Sequence, residues 1–440
     1  MTGPHDPTVA SAAGTAPGLV ALSATAHRIL HACRAVGGVP LIVGGTVRDA
    51  ILSGDTIAPA AAMTSSARAA KDVDIEVFGD VRETDLIAEL IRVARAGVAR
   101  VDVARVDGVD RASSVLEVAC DGERFDVSIS SQIGFVESAG SRGFTVDALA
   151  WDPATSSILD PVGGRSDLAA RLIRLVSPDG FVRDPLQVLR AVQLVARFGF
   201  ALDDETAAAA RRAADAFPSI TTDRIRIEWQ SIATHGRHIG RALTALHEVD
   251  WLRWFPALAA TRGLEQDPRW HPEGDVLTHL GLAAEHAAAL ADAEAWPDSE
   301  RELIVLAALL HDVGKPTTTV RLPDGRITSH GHESVGAPIA EAFLEAIGAD
   351  ASLRRRVGML VREHMIHVSV AGRPSRASLR RLIRRLGEAG VTLEEWAAVV
   401  ASDVGGRGDA ARPNPAAVWL EVAAEVAAEV GAERAPDAGV

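Results

Sequence analysis

The sequence predicts an α+β fold in which a small sheet-containing head precedes a remainder that is helical throughout. Three observations predict it. Apolar and polar residues alternate at period two in several short runs before residue 131, as half-buried strands require. From residue 184 onward the apolar spacing turns helical and breaks only at Pro- and Gly-containing points. A chain of 440 residues also exceeds one ordinary core, so two or three domains are expected.

Each element follows in order. Residues 1–18, rich in small residues, Pro and Gly, read as a disordered lead-in, and no basic start followed by an apolar block marks a signal peptide there. The head is expected over residues 19–150. Leu19, Leu22, Ile29 and Leu30 give residues 19–36 helical spacing, and Pro40 then leads into a short strand, LIV, ending at Gly44-Gly45. GDTIAPAAAMTSSARAA reads as a loop, DVDIEVF as a strand, and residues 83–96 as a helix. The runs VARVDVARV, SSVLEVAC and RFDVSIS complete the strands, with Asp121-Gly122-Glu123 as the turn between the last two. Residues 151–261 form a helical neck broken at Phe217-Pro218 and Pro256. RGLEQDPRWHPEGD is a polar link into a second helical domain over 270–410, which contains one hairpin around RLPDGRIT. A last helix and a frayed tail occupy 411–440.

Composition narrows the functional classes. No apolar run approaches the ~20 residues a bilayer needs, so no membrane span is expected. Cys33 and Cys120 stand in no ligand spacing, which fits a reduced cytoplasmic protein without a disulfide framework. The net charge of −14 opposes nucleic-acid binding overall, yet arginines crowd the middle third from Arg165 to Arg241. A local basic face for RNA phosphates and ordinary solvated helix faces explain that crowding equally well. Lys71 and Lys315 are the only lysines, so each position is worth noting.

Two constellations carry chemistry. In DVDIE, Asp72, Asp74 and Glu76 project from one strand face and Val73, Ile75 and Val77 from the other. Two carboxylates so placed can share Mg²⁺ ions in phosphoryl transfer, with Asp126 of RFDVS as a third from a neighbouring strand. Solubilising acids on an edge strand would give the same Asp-x-Asp pattern. The upstream VGGTVRD favours the first reading. Gly44 and Gly45 let backbone amides approach a phosphate, Arg48 adds a charge, and Asp49 fixes that arginine or caps the turn. The second constellation is the ordered set His279, His311-Asp312, His332, His364 and Asp403. Imidazole and carboxylate together suit a divalent transition metal (Mn²⁺, Fe²⁺, Co²⁺, Ni²⁺ or Zn²⁺), or Mg²⁺ with more oxygen ligands. Taken singly, these histidines would read as helix contacts, as do His235, His238, His271, His330 and His367.

The motifs VGGTVRD, DVDIEVFG, FDVS, SRGFTVDA, LDPVGG, DPLQVLRAVQLVARFGF and DRIRIEW, in order from about residue 40 to 235, resemble the bacterial tRNA nucleotidyltransferase and poly(A) polymerase family. LLHDVGKP resembles the signature of HD-domain phosphohydrolases. The resemblance implies a small mixed sheet of about five strands backed by helices, then helical neck, body and HD domains. It implies extension of an RNA 3′ end, such as that of tRNA, from ATP, with CTP open as a second substrate. Asp72 and Asp74 would hold the catalytic Mg²⁺ with Asp126 beside them, and Gly44, Gly45 and Arg48 would hold the triphosphate. Arg142, Asp184, Gln187 and Arg190 would belong to the nucleotide pocket, although Arg190 and Arg197 serve equally well as salt-bridge residues. Lys315 would sit near a phosphate at an HD site able to trim phosphates or open 2′,3′-cyclic ends.

The chain departs from the family pattern at two points. SRGFTVDA stands where relatives read Arg-Arg-Asp-Phe-Thr-Ile-Asn-Ala, so Ser141, Gly143 and Asp147 are exchanged. RDPLQ stands where they read Glu-Asp-x-x-Arg, leaving Asp184 between Arg183 and Gln187. Base pairing by side chains depends on the donor and acceptor pattern, so base choice is expected to shift. A phosphohydrolase with a drifted, regulatory head is the second reading, and a non-catalytic RNA-binding protein the third.

Overall fold

The computed structural model describes residues 22–53, 73–96, 102–107, 114–120, 123–370, 372–408 and 413–434. The chain divides into two compact units, Met1–Gly180 and Phe181–Val440. The lead-in, the loop before the Asp-x-Asp strand, Asp72 itself and the tip at Asp121-Gly122 lie outside the described residues.

In the first unit, Ser23 caps helix α1 (Ala24–Ala35) by accepting from the Ala26 amide at 2.9 Å. Strand β1 (Val39–Val43) follows, and Gly44 turns the chain at φ +69° into helix α2 (Gly45–Ser53). Strand β2 (Val73–Phe78), helix α3 (Glu83–Ala96) and strands β3 (Asp102–Asp107), β4 (Ser114–Cys120) and β5 (Glu123–Ser130) come next. Helix α4 (Phe135–Ser141) and strands β6 (Ala150–Asp152) and β7 (Ser157–Leu159) complete it. The sheet order is β3-β4-β5-β2-β1-β6-β7, and only β2 and β5 run parallel. It therefore has seven strands rather than about five. The added pair, β6 and β7, have three residues each, too few to display an alternation. Ile42, Ile75, Val77, Leu116, Phe125 and Val127 fill the sheet's core at 1% exposure or less, on both the parallel pair and its flanks.

The second unit is helical. Helices α5 (Leu186–Phe198), α6 (Thr222–His235) and α7 (Ile239–Glu248) precede α8 (Val276–Ala293), which Asp275 caps at 2.9 Å from the Thr278 amide. Helix α9 (Asp298–Leu310) is buried on every side from Arg301 to Leu310, so it runs through the middle of its domain. Around it lie α10 (His332–Ala346), α11 (Ala351–Glu363), α12 (Arg376–Glu388), α13 (Leu393–Gly405) and α14 (Ala417–Arg434). The expected hairpin is present as Val320–Arg321 against Ile327–Thr328. Cys33 and Cys120 are free and buried, and no helix of the described residues is long and apolar enough to cross a membrane.

Candidate active sites

The parallel pairing of β2 with β5 sets Asp74 directly beside Asp126, so both carboxylates leave the sheet at one level and on one face. Both are half-buried. Gly44 faces this pair from the next strand over. A Cβ there would lie 3.5 Å from Asp74 Oδ2 and 3.3 Å from Arg142 Nη1, so only glycine combines the left-handed turn with this close approach. Arg48, on the first turn of α2, is 4% exposed and bonds Asp49 Oδ1 at 3.0 Å and the Asp147 carboxylate. Asp49 therefore fixes the arginine. Asp147, one of the exchanged residues, is the second anchor.

Glu76 does not share the open acidic face with Asp74. It is 5% exposed, and its Oε1 accepts from Ser130 Oγ at 2.6 Å and Ser138 Oγ at 2.7 Å. Its Oε2 accepts from Arg142 Nη2 at 2.7 Å. Helix α4 folds over the β2 end, so the outermost acid of the strand becomes a buried anchor for Arg142. Its role was unreadable from period two alone, which gives the face of a side chain and not its cover.

In the second unit, Asp184 precedes α5 rather than lying on it, because Pro185 begins the helix; its Oδ1 accepts from the Leu186 amide at 3.3 Å. Its other oxygen pairs with Arg224 at 2.8 Å. Gln187 keeps a buried Oε1 without a hydrogen-bond partner, and Arg190 is exposed, close enough to Glu228 to act on its charge.

The six ligand candidates of the helical unit do converge. His311 and Asp312 end α9, where the chain leaves the helix. Gly314 lets that turn press on the start of α10, since a Cβ there would sit 2.1 Å from the His332 carbonyl oxygen. His311, His332 and His364 each place Nδ1 against a backbone carbonyl, Ala308 at 2.8 Å, Ser329 at 2.7 Å and Val361 at 2.6 Å. A carbonyl only accepts, so each neutral ring donates from Nδ1 and carries its lone pair on Nε2. Those Nε2 atoms meet in pairs, His279 with His311 at 3.3 Å and His332 with His364 at 3.1 Å. Lone pairs at that separation repel unless a cation or proton lies between them.

Asp312 joins the two pairs. Its Oδ1 is 3.0 Å from His332 Nε2 and 4.0 Å from His364 Nε2, and its Oδ2 is 3.3 Å from His311 and 3.7 Å from His279. Asp403 adds an oxygen 3.2 Å from His279 Nε2 and 3.8 Å from His311 Nε2. All six side chains are buried, from 0% to 5% exposed. Burial opposes the charge of Asp312, but His311, Lys315 and the hydrogen bonds around it outweigh this and hold its carboxyl well below the usual carboxylate range. Burial and the neighbouring His311 and His332 push His364 down to about 3. Burial also lowers His279 and His332, yet Asp403 with Glu273, and Asp312, raise them above an ordinary imidazole. The donor set therefore fits one divalent ion per histidine pair, with Asp312 shared.

Two residues of this cluster were read as part of the polar link. Glu273 Oε1 is 2.7 Å from His279 Nδ1 and 2.9 Å from His271 Nδ1, and its Oε2 is buried without a partner. The nearest signal was HPEGD ending only a few residues before His279. Lys315 lies inside the cluster, its Nζ 2.5 Å from Asp312 Oδ2 and 2.6 Å from Gln266 Oε1.

A mixed sheet with paired carboxylates beside a Gly-Gly turn, joined to a helical unit with a histidine–aspartate cluster, defines a nucleotidyltransferase-type head with an HD-type partner. Residues 41–174 match the poly A polymerase head domain and residues 276–401 the HD domain. The multifunctional CCA protein of Aromatoleum aromaticum is 34% identical over 313 residues, 67% of this chain and 71% of that one. The chain belongs to the tRNA nucleotidyltransferase and poly(A) polymerase family. The multifunctional CCA protein of Xanthomonas campestris is also 34% identical, over 253 residues, 55% of this chain; the alignment spans 57% of that relative's length. The solved CCA-adding enzyme of Bacillus stearothermophilus in complex with CTP shares the fold at 20% identity and TM-score 0.56, over 92% of this chain and 83% of that one. That of Thermotoga maritima complexed with tRNA does so at 16% identity and TM-score 0.52, over 92% and 81%.

Proposed function

We propose that this protein is a template-independent nucleotidyltransferase that adds CMP or AMP to the 3′ end of tRNA, with an HD domain that hydrolyses phosphoesters at RNA ends. The observation that carries the first half is the register of Asp74 with Asp126 beside Gly44 and Arg142. Relatives named multifunctional CCA proteins, and CCA-adding enzymes solved with CTP and with tRNA, support the substrate class. Asp74 and Asp126, with Asp72 two residues earlier on the strand, are the residues that would hold Mg²⁺. Divalent ions there supply charge neutralisation of the triphosphate and activation of the attacking hydroxyl. Arg142, held by Glu76, and Arg48, held by Asp49 and Asp147, present fixed positive charge beside the Gly44-Gly45 turn to the nucleotide phosphates. Gln187 offers its unpartnered amide oxygen to the exocyclic amine that cytosine and adenine share.

His279, His311, Asp312, His332, His364 and Asp403 would hold the HD metal ions. Bound there, such ions supply Lewis acidity to a phosphoester and to water. The test for the whole reading is incorporation of each labelled nucleotide, with Mg²⁺, into tRNA transcripts ending before C, CC or CCA. Ordered CMP then AMP addition is the expected result, and absence of any addition would overturn it. The exchanged residues at Gly143, Arg183 and Gln187 favour one alternative, a working HD domain with a silent head. Hydrolysis of 2′,3′-cyclic ends without any nucleotide addition would establish that alternative.

A further inference from the structure

Two cavities flank the histidine–aspartate cluster. One, of about 520 Å³, is lined by His332 and Lys315; the other, of about 410 Å³, is lined by Asp403 and Arg407. Trp270, His271, Met365 and Val368 line both and form the ridge between them. Trp270 is 48% exposed, and no other aromatic side chain among the described residues falls in the exposed class. Val368 beside it is 63% exposed. An open indole next to an open valine leaves apolar surface in water, which is unfavourable unless a ligand covers it.

The platform is built rather than loose. Arg269 clamps Asp267 with two bonds, Nε to Oδ1 at 2.9 Å and Nη2 to Oδ2 at 2.6 Å, and the Trp270 amide donates to the Asp267 carbonyl at 3.0 Å. The next residue, His271, stacks edge-on against His279 with ring centroids 4.7 Å apart. Consecutive Cα atoms are ~3.8 Å apart, so the indole stands within about one nucleotide's length of the metal-ligand nitrogens. The larger cavity falls within the range of roughly 300–1,000 Å³ typical of small-ligand sites.

We propose that Trp270 is the stacking platform for the base of a nucleoside phosphate whose phosphate lies at the histidine–aspartate cluster. The cavity then selects nucleotides and nucleotide ends over phosphoesters that lack a base, because every base presents a π-face to an indole. The proposal rests on the HD hydrolase reading above.

The test uses the full chain loaded with Mn²⁺ and isothermal titration of two probes that resist hydrolysis. One is adenosine 3′-phosphorothioate and the other inorganic thiophosphate, with His311→Ala as the background. Trp270→Ala is expected to weaken the nucleoside probe by about 5- to 150-fold, the range base–aromatic stacking supplies, and to leave thiophosphate within about twofold. Trp270→Phe should keep most of the nucleoside affinity. Unchanged nucleoside affinity in Trp270→Ala would overturn the proposal, and so would an equal loss for both probes, which marks a structural role. If the wild type binds neither probe above the His311→Ala background, the hydrolase reading itself falls and takes the platform with it.

Discussion

Replacing Glu76 by glutamine removes one charge from the head and leaves its volume almost unchanged. The side chain is 5% exposed and accepts three bonds, two from serine hydroxyls on Oε1 and one from the Arg142 guanidinium on Oε2. Glutamine keeps a carbonyl oxygen for Ser130 and Ser138 but turns an NH₂ donor toward Arg142, itself only donors. The lost bond is charge-assisted, about 1.5–3 kcal/mol when fully buried. The Arg142 side chain is 25% exposed, so solvent screening favours the lower end, about 1–2 kcal/mol. Glu76→Ala strips all three bonds and leaves buried hydroxyls without acceptors, which raises the cost to about 3–5 kcal/mol. Urea unfolding reads the stability change. A binding titration reads the second consequence, since an unanchored Arg142 should weaken nucleotide triphosphate affinity by roughly tenfold, equal to about 1.4 kcal/mol. Wild-type stability together with wild-type nucleotide affinity in Glu76→Gln would refute the anchoring of Arg142 by Glu76.

The remaining predictions concern the anchors and the metals. Glu273→Gln should weaken Mn²⁺ binding by about 10- to 100-fold while secondary structure is unchanged, because the carboxylate that orients His279 through Nδ1 is lost; equal affinity by titration would show that His279 needs no such partner. His279 and His332 hold protons more tightly than a free imidazole, so protons compete with metal at Nε2 and Mn²⁺ affinity should fall as pH drops below neutrality. A dissociation constant that stays flat between about pH 6 and 8 would contradict this competition. Asp147→Ala removes one of the two carboxylates on Arg48 and should raise the Michaelis constant for nucleotide several-fold, whereas Asp147→Asn should retain most of the contact. A Michaelis constant unchanged in the alanine variant would remove Asp147 from the phosphate-binding frame.

Much of the architecture was legible because it rests on periodicity. The alternation in DVDIEVF and RFDVSIS marks β2 and β5, and the helix over residues 83–96 coincides with α3. The Asp74–Asp126 pairing was legible as residue types, although its register depends on β2 and β5 being adjacent and parallel, which no local pattern encodes. The HD ligands were legible because His311-Asp312 ends an apolar helix and the rest follow in order. What stayed hidden was cover and partnership. Burial of Glu76 under α4, the Asp147 contact to Arg48, and the turn that brings Glu273 onto His279 all arise from tertiary contacts between residues distant in the chain or in an irregular link. The strands β6 and β7 were hidden for a different reason, since three residues hold no readable period.

The most direct measurement pairs two variants against two assays. Asp74→Asn and His311→Ala would each be compared with the wild type for nucleotide addition to a tRNA transcript lacking its 3′ end and for hydrolysis of adenosine 2′,3′-cyclic phosphate with Mn²⁺. Two separate sites should give a clean exchange: Asp74→Asn loses addition and keeps hydrolysis, and His311→Ala does the reverse. Addition that survives in Asp74→Asn, or one folded variant that silences both activities, would contradict it.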